Sequence, residues 1–197
     1  HRQTLGYTLC DGGIQSVVFY YVFSSQQIFT EVYHLGELFP LAFAAIAIGI
    51  AAAGFLNSRI VGRYGMRVIS HSALMGSLLL ATITLLAAWQ GWLSFPVYMV
   101  LAIGNMFAFG LMFSNFTALA MEPQGHIAGT ASSLFGSITT LIGSAVGALI
   151  GQDFNGTMLP FTTGAFLCTL SALAIVIVVE RGRLFVPHNP VVQTPPR

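Results

Sequence analysis

The chain is organised around one short stretch, Asn57-Ser58-Arg59-Ile60-Val61-Gly62-Arg63-Tyr64-Gly65-Met66-Arg67. This stretch holds three of the seven basic residues of the protein, and it lies between two long apolar runs. Arginines in short connections between membrane-spanning segments are retained on the cytoplasmic side. The pattern therefore predicts a cytoplasmic loop between two spanning helices, and it sets the direction in which the other segments cross.

The composition excludes a water-soluble domain. Hydrophobic residues make up 55% of the chain and charged residues only 7%, with a mean hydropathy of +0.81. A soluble domain carries about 25% charged residues, so this chain must have membrane lipid as its solvent. A net charge of +1 also argues against nucleic acid as a partner. Cys10 and Cys168 both lie in apolar runs, and their spacing predicts neither a metal site nor a disulfide framework.

Six stretches are long and apolar enough to cross a bilayer as helices, which needs about 20 residues. They predict an all-α integral membrane protein, with spans at about 5–29, 38–56, 68–89, 95–120, 127–150 and 158–179. Starting from the cytoplasm, this arrangement puts all seven arginines inside and both termini in the cytoplasm. The outer connections then contain the acidic residues Glu31, Glu37 and Asp153 and no arginine.

Two further segments are assigned by their residue types. Trp89 and Trp92 flank a short outer connection, where amphipathic indole rings anchor a chain at the membrane surface. Residues 184–197 contain four prolines and no apolar periodicity. We expect this cytoplasmic tail to be disordered.

The fifth predicted helix is rich in small residues, which recur every fourth position on two stripes. One stripe contains Gly129 and Ser133, and the other contains Gly143, Gly147 and Gly151. Helices in lipid associate by close backbone packing at such positions. We therefore expect this helix to pack against neighbours on more than one side.

A weak internal repeat appears at an offset of ninety residues. It aligns Gln15, Phe19, Phe23 and Ser24 of the first helix with Asn105, Phe109, Phe113 and Ser114 of the fourth. Helices separated by three spans cross the membrane in opposite directions. The pattern therefore favours an inverted repeat of three plus three helices, a common transporter architecture.

Two groups of residues resemble a known family. The first is 62–67, which includes Arg63, Gly65 and Arg67 and is similar to a basic loop motif. The second is 121–134, followed by 147–152, 155–157 and Pro160. Together they resemble the C-terminal six-helix half of a major facilitator superfamily transporter, of the bicyclomycin/chloramphenicol-resistance type of multidrug efflux protein. The second group resembles the signature of the tenth to twelfth helices of that family.

The resemblance implies a secondary active transporter of the bacterial inner membrane. It implies export of small amphiphilic drugs, in exchange for protons, through a cavity between two six-helix halves, with no bound cofactor. The chain begins with His1 rather than Met. We therefore expect it to be part of a longer protein whose N-terminal half is a partner.

Asp11 is the one ionisable residue well inside a predicted span. A charge in the bilayer costs about 2.5–3.5 kcal/mol on insertion scales, so such a residue normally faces a cavity or a partner. It is the candidate for proton coupling or for binding a cationic substrate. The alternative is that Asp11 reaches water at the cytoplasmic mouth or pairs with an arginine of the other half.

A candidate substrate cavity follows from helical spacing. Gln15 and Phe19 follow Asp11 on one face of the first helix, and the fourth helix carries an equivalent face with Asn105, Phe109, Met112 and Phe116. Apolar and aromatic surface with a few amides suits promiscuous binding of flat drugs. The alternative is that the amides form interhelical hydrogen bonds, worth about 0.6 kcal/mol each in membranes.

The basic stretch has a second possible role. Arg59, Arg63 and Arg67 recur every fourth residue and could bind anionic lipid, although topology alone explains them. Glu122 and His126 lie close together at the inner ends of the fourth and fifth helices, where they could form a gate contact or could cap the helix ends at the surface. The other histidines are scattered and predict no ligand set.

Two other classes of function can be compared with the sequence. A self-pairing six-helix protein that forms a channel or transporter fits the same hydropathy pattern. An intramembrane enzyme does not, because no G-x-S-x-G, H-E-x-x-H or paired intramembrane acids occur in the sequence.

Overall fold

The computed structural model describes residues 2–185, apart from the side chain of His126. Its helices are α1 (Arg2–Gln26), α2 (Phe39–Tyr64), α3 (Met66–Trp89), α4 (Phe95–Met121), α5 (Ala128–Gln152) and α6 (Leu159–Val179). A π-helical turn, Gln27–Val32, extends α1, and short 3-10 turns precede α2 and α5. No β-strand occurs within residues 2–185, and the predicted all-α fold is confirmed.

Three of the helices begin with the same local signal. Pro40, Pro96 and Pro160 lie in the first turns of α2, α4 and α6. Proline is tolerated there because the first amides of a helix have no intrahelical acceptor, and its fixed φ suits the helix. Since successive helices alternate in direction, these three starts lie at the same end of the bundle.

The described helices form a multi-pass membrane protein. Within residues 2–185, the five helices α2 to α6 are long and apolar enough to cross a membrane. The remaining helix, α1, is also long enough to span, at 25 residues. It is less apolar because it contains Arg2, Asp11 and Gln15. It lies at the centre of the bundle, in contact with α4, α5 and α6. The least apolar helix is therefore the one most enclosed by protein.

The connection between α2 and α3 differs from the prediction. We expected a loop after residue 56, but α2 continues to Tyr64 and α3 begins at Met66. Gly65 alone joins them, with φ of +81°. A left-handed backbone of this kind favours glycine because a Cβ would clash with the carbonyl. Arg59, Gly62 and Arg63 thus lie in the last turns of α2, whereas Arg67 lies in α3.

The helix contacts follow a pseudo-two-fold pattern that relates α1–α3 to α4–α6. α1 packs against α5 as α4 packs against α2, and α3 packs against α4 as α6 packs against α1. Across the axis, α1 contacts α4 and α3 contacts α6. This is the contact pattern of an inverted repeat of three helices.

The proposed sequence repeat, however, does not align equivalent positions. Gln15 packs against Gly143 of α5, so its symmetry mate should face α2. Asn105 instead accepts a hydrogen bond from Ser77 of α3 at 2.8 Å. The two amides that the sequence pairs therefore face different neighbours, and the pairing of Gln15 with Asn105 was wrong.

The two ends of the bundle have different chemistry. At the arginine end, where α1 begins, α2 meets α3 and α6 ends, lie all six arginines of residues 2–185: Arg2, Arg59, Arg63, Arg67, Arg181 and Arg183. At the opposite, aromatic end, a cluster of buried Tyr and Phe rings joins the end of α1 to the starts of α2, α4 and α6. Arg197, which we expected on the same side as the other arginines, lies outside the described residues.

The start of the predicted disordered tail packs against the bundle. Leu184 contacts the apolar core at the arginine end, and the Phe185 ring meets His71 edge-on at a centroid distance of 6.0 Å. Residues 186–197, which make up the rest of the predicted tail, lie outside the described residues.

Candidate functional site

Asp11 is fully buried in α1. Its exposure is 0%, and neither of its carboxylate oxygens accepts a hydrogen bond from any residue in 2–185. The preceding residue, Cys10, points to the Ala172 carbonyl of α6, and the following residue, Gly12, faces Ile142 of α5. Around the circumference of α1, Asp11 therefore lies between the side that faces α6 and the side that faces α5. A buried polar group without a partner is expensive, so this position requires an explanation.

Gln15 and Phe19 lie against α5, where glycines allow close approach. A Cβ added at Gly143 would lie 2.9 Å from the Phe19 ring and 3.3 Å from Gln15 Cβ. At Gly147 it would lie 3.0 Å from the Ser16 carbonyl oxygen. The α1–α5 contact thus depends on these two glycines, because a larger side chain would push the helices apart. Gly151 continues the stripe beside Tyr20 and Ser24.

The residues predicted on α4 do not form an open cavity face. Phe116 is completely buried and its ring lies 5.2 Å from that of Tyr7. Asn105, Phe109 and Met112 line a small cavity inside the bundle, between α1, α3, α4 and α6. The prediction of one shared cavity was wrong for α4, because Asp11, Gln15 and Phe19 are directed elsewhere. The α4 ring that is exposed is Phe113, at 38%.

The three predicted arginines divide into two kinds. Arg59 and Arg63 are exposed, and their guanidinium carbons lie over the rings of Phe55 and Tyr64 at 5.0 and 5.4 Å. The side chain of Arg67 is only 10% exposed and donates through Nε to Glu180 Oε1 at 3.0 Å. The uniform stripe that we expected is therefore broken by the turn at Gly65.

Glu180 is the centre of a polar network that sequence reasoning missed. It accepts hydrogen bonds from Arg67 of α3 and, at 2.6 Å, from the Tyr7 hydroxyl of α1. The Tyr7 oxygen also lies 3.1 Å from His71 Nε2. The Phe185 amide donates to His71 Nδ1 at 3.4 Å, which leaves Nε2 to carry the ring proton and donate to Tyr7.

Glu122 extends the same network to the end of α4. It lies 3.8 Å from Arg67 and accepts a 2.8 Å hydrogen bond from Gln3 Nε2, which also donates to the Leu119 carbonyl. Arg2 donates to the Val178 carbonyl of α6. We expected Glu122 to act with His126, but its described partners are Gln3 and Arg67. The ends of α1, α3, α4 and α6 are thus tied together.

No local signal in the sequence indicated this network. Tyr7 and His71 are separated by 64 positions, and Tyr7 and Glu180 by 173. Glu180 follows the last residue of α6 and reads as an ordinary polar residue at a membrane boundary. Only the meeting of four helix ends gives these residues their partners.

A large face of the bundle is lined by small residues. On α5, Gly129 has no atom near the position of an added Cβ, and Ser133 is exposed with its hydroxyl bonded to its own helix. Within residues 2–185 neither residue packs against another helix, so the packing expected of this stripe is not observed there. On α2, the symmetry mate of α5, a matching exposed stripe contains Ala44, Ala47, Ala51, Gly54, Ser58 and Gly62.

Comparison with known proteins identifies two curated relatives. The chain is 28% identical over 159 residues to the uncharacterised MFS-type transporter YdgK of Bacillus subtilis, which covers 76% of this chain and 37% of the relative. It is 28% identical over 187 residues to the bicyclomycin resistance protein homolog of Haemophilus influenzae, which covers 92% of this chain and 46% of the relative. No family model matches the chain, and no solved structure gives a significant match.

These relatives confirm the predicted resemblance to half of a multidrug-type transporter of the major facilitator superfamily. The chain spans less than half the length of each of them.

Proposed function

We propose that this chain is one six-helix half of a secondary transporter that exports small amphiphilic drugs in exchange for protons. The observation that carries the proposal is similarity over 92% of the chain to a bicyclomycin resistance protein homolog, of which the chain matches 46%. A relative about twice as long leaves room for a second bundle of the same size. The name of that relative refers only to bicyclomycin resistance, and the wider substrate class and the exchange for protons are what we propose from the family resemblance.

The second bundle would dock on the small-residue faces of α2 and α5. Exposed Gly, Ala and Ser on two symmetry-related helices allow another backbone to approach closely, which is how helices associate in lipid. Apolar side chains such as Leu79 and Ile83 are exposed on α3, as suits a helix that faces lipid. The small-residue stripes, which lie beside exposed apolar side chains such as Ile48 on α2 and Leu141 on α5, are the feature that supports docking on the α2–α5 side.

Asp11 is our candidate for proton coupling. Its support is complete burial with no described partner for either carboxylate oxygen. A carboxyl group in such surroundings is more stable when protonated, and it needs water or a cation when ionised. Alternating access to the two sides of the membrane would supply these two environments in turn. Gln15 and Phe19, on the same side of α1, would contact the drug.

We further propose that the arginine end faces the cytoplasm of a bacterial inner membrane. Retention of arginines on the inside favours this orientation, and it puts both ends of the chain in the cytoplasm. The exposed Arg59 and Arg63 would then lie at the level of anionic lipid headgroups.

Drug resistance and efflux in a drug-sensitive bacterial host test the proposal. The chain alone is compared with the chain joined to the N-terminal half of the Haemophilus relative. We expect export only from the joined protein. Asp11→Asn should abolish proton-driven export, and Asp153→Asn, which removes an exposed carboxylate at the aromatic end, is the matched control. Export by the chain alone would instead support the self-pairing six-helix protein.

A second pair of variants tests the docking face. Ser133→Leu adds bulk to the small-residue stripe of α5, and Ser72→Leu adds the same bulk to an exposed position of α3. We expect Ser133→Leu to abolish export while the protein still reaches the membrane, and Ser72→Leu to have little effect. Equal export by the two variants would exclude α5 as the docking face.

A further inference from the structure

The bundle contains a partly open cavity of about 40 Å³ between α1, α3, α4 and α6. These four helices meet around the pseudo-two-fold axis, and the small-residue faces of α2 and α5 lie away from it. Its lining on α4 runs from Tyr98 to Met112, which is about 20 Å at 1.5 Å per residue. The cavity is therefore narrow and elongated, and it is separate from the proposed docking face.

The cavity has the size for water and not for a drug. A buried water molecule needs about 10–15 Å³ of such space, so about three waters fit, whereas a benzene-sized ligand has been found in a cavity of about 150 Å³. Apolar side chains such as Ile14, Met106 and Phe161 form much of the wall. A cavity of this size can also be empty, so whether it contains water depends on the polar groups in its wall.

Tyr98 provides an unpaired donor. It lines the cavity, is 1% exposed, and its hydroxyl has no hydrogen-bond partner within residues 2–185. Leaving such a group unpaired costs about 1–3 kcal/mol. The Tyr98 ring is held by stacking on Tyr33 at 5.4 Å and by an edge contact with Phe161 at 6.4 Å, so it cannot easily turn to another partner.

Hydroxyl groups on α3 and α6 provide acceptors around the same space. Thr84, Thr162 and Thr169 line the cavity, and each donates its hydroxyl proton to a carbonyl of its own helix. Their oxygens therefore keep lone pairs that can accept from water. Ser77 and Asn105, also in the lining, bond to each other. A buried water typically needs two to four polar partners, and this wall offers them from three helices.

We propose that this cavity binds a small cluster of ordered waters that joins α3, α4 and α6 through Tyr98 and the three threonines. The waters satisfy the Tyr98 hydroxyl and stabilise the centre of the bundle. This site does not depend on the proposed transport function.

Pulsed X-ray radiolysis in lipid nanodiscs tests the proposal, because hydroxyl radicals formed from bound water oxidise the side chains next to it. Met106 and Met112 line the cavity at 4% and 1% exposure, and Met158 is equally buried at 6% but lies outside the lining. We expect sulfoxide to form several-fold faster at Met106 and Met112 than at Met158. Ala81→Leu, which fills the cavity from α3, should remove that difference.

Three results would overturn the proposal. If Met106 and Met112 are oxidised no faster than Met158, the cavity is dry or holds an apolar molecule. If Ala81→Leu leaves the fast oxidation unchanged, the radicals come from elsewhere. The direction in which Tyr98→Phe changes the thermal unfolding temperature is an independent test. A hydrated cavity predicts a lower unfolding temperature because a hydrogen bond to water is lost, and a higher temperature would show that the hydroxyl was unsatisfied.

Discussion

The two ends of the bundle are held together by different physics. At the arginine end, Glu180 accepts from Tyr7 and Arg67, and Glu122 accepts from Gln3, so that hydrogen bonds and ion pairs join four helices. At the aromatic end, rings pack at centroid distances from 4.8 to 6.4 Å. The Tyr21 and Tyr33 hydroxyls donate to backbone carbonyls, whereas those of Tyr20 and Tyr98 have no partner within residues 2–185. The helix contacts at the arginine end depend on charge and on hydrogen-bond geometry, whereas those at the aromatic end depend on the shapes of the packed rings.

This difference indicates where the bundle can change its packing. A network that centres on one carboxylate is lost or kept as a unit, because removing one partner leaves the others unpaired in a partly buried site. A cluster of rings loses stability in proportion to the apolar area exposed, because its contacts are many and individually weak. We therefore expect the arginine end to behave as a two-state contact and the aromatic end to adjust gradually.

The largest expected effect comes from Glu180→Ala. The change leaves Arg67, whose side chain is 10% exposed, with only the longer contact to Glu122, and it removes the acceptor of Tyr7. We expect a loss of about 3–5 kcal/mol in the free energy of unfolding, measured by SDS titration in mixed micelles. Glu37→Ala, an exposed acid at the other end, is the control and should change little. A loss below about 1 kcal/mol would show that the network is only a surface feature.

The corresponding change at the aromatic end is Phe29→Ala. Phe29 is 0% exposed and contacts Phe39 and Tyr98 at centroid distances of 5.8 and 6.1 Å. Loss of its packing should cost about 3–4 kcal/mol in the same titration. Phe29→Leu should recover much of that loss, since shape dominates here. If leucine is no better than alanine, ring-specific geometry matters more than we infer.

A finer test removes a hydroxyl from the arginine end. Tyr7→Phe keeps the ring against Phe116 but removes the hydrogen bonds to Glu180 and His71. We expect a loss of about 1–2 kcal/mol in the free energy of unfolding. In the Glu180→Ala background the same change should cost much less, because the network has already been broken. Equal costs in both backgrounds would contradict the idea of a single unit.

The smallest effect is expected from the same change at the aromatic end. The Tyr33 hydroxyl donates to the Leu93 carbonyl at 3.2 Å, and its ring packs on Phe95 and Tyr98. Tyr33→Phe should cost about 0.5–1 kcal/mol. The comparison of the two Tyr→Phe variants is the sharpest measure of the contrast between the ends. If Tyr33→Phe lowers the free energy of unfolding as much as Tyr7→Phe does, the contrast between the two ends is contradicted.

Much of the fold could be predicted because it depends on local properties of the chain. Apolar runs of sufficient length predict spanning helices, and prolines and glycines mark where they begin and end. The prediction failed where a basic run was taken for a loop. Arg59 and Arg63 are compatible with helix, and Gly65 alone is enough to reverse the chain, so charge marked the membrane boundary but not the end of α2.

The candidate site was predicted less well because helical periodicity does not say which neighbour a face meets. Asp11, Gln15 and Phe19 lie together on α1. On α4, however, Phe116 and Met112 are buried in the core, and Asn105 accepts a hydrogen bond from Ser77. The small-residue stripes of α5 were visible in the sequence. Which stripe packs against α1 depends on how α5 is rotated, and that follows from the close approach at Gly143 and Gly147.

By itself, the sequence determined that the chain is helical and membrane-embedded, that its arginines lie at one end, and which family it resembles. These properties follow from residue types and their local spacing. Only the tertiary structure decided the network at Glu180, the cavity beside Tyr98 and the exposed faces of α2 and α5. The network joins residues separated by 64, 113 and 173 positions. Such partners are chosen by the rotation and register of packed helices, which no local pattern encodes.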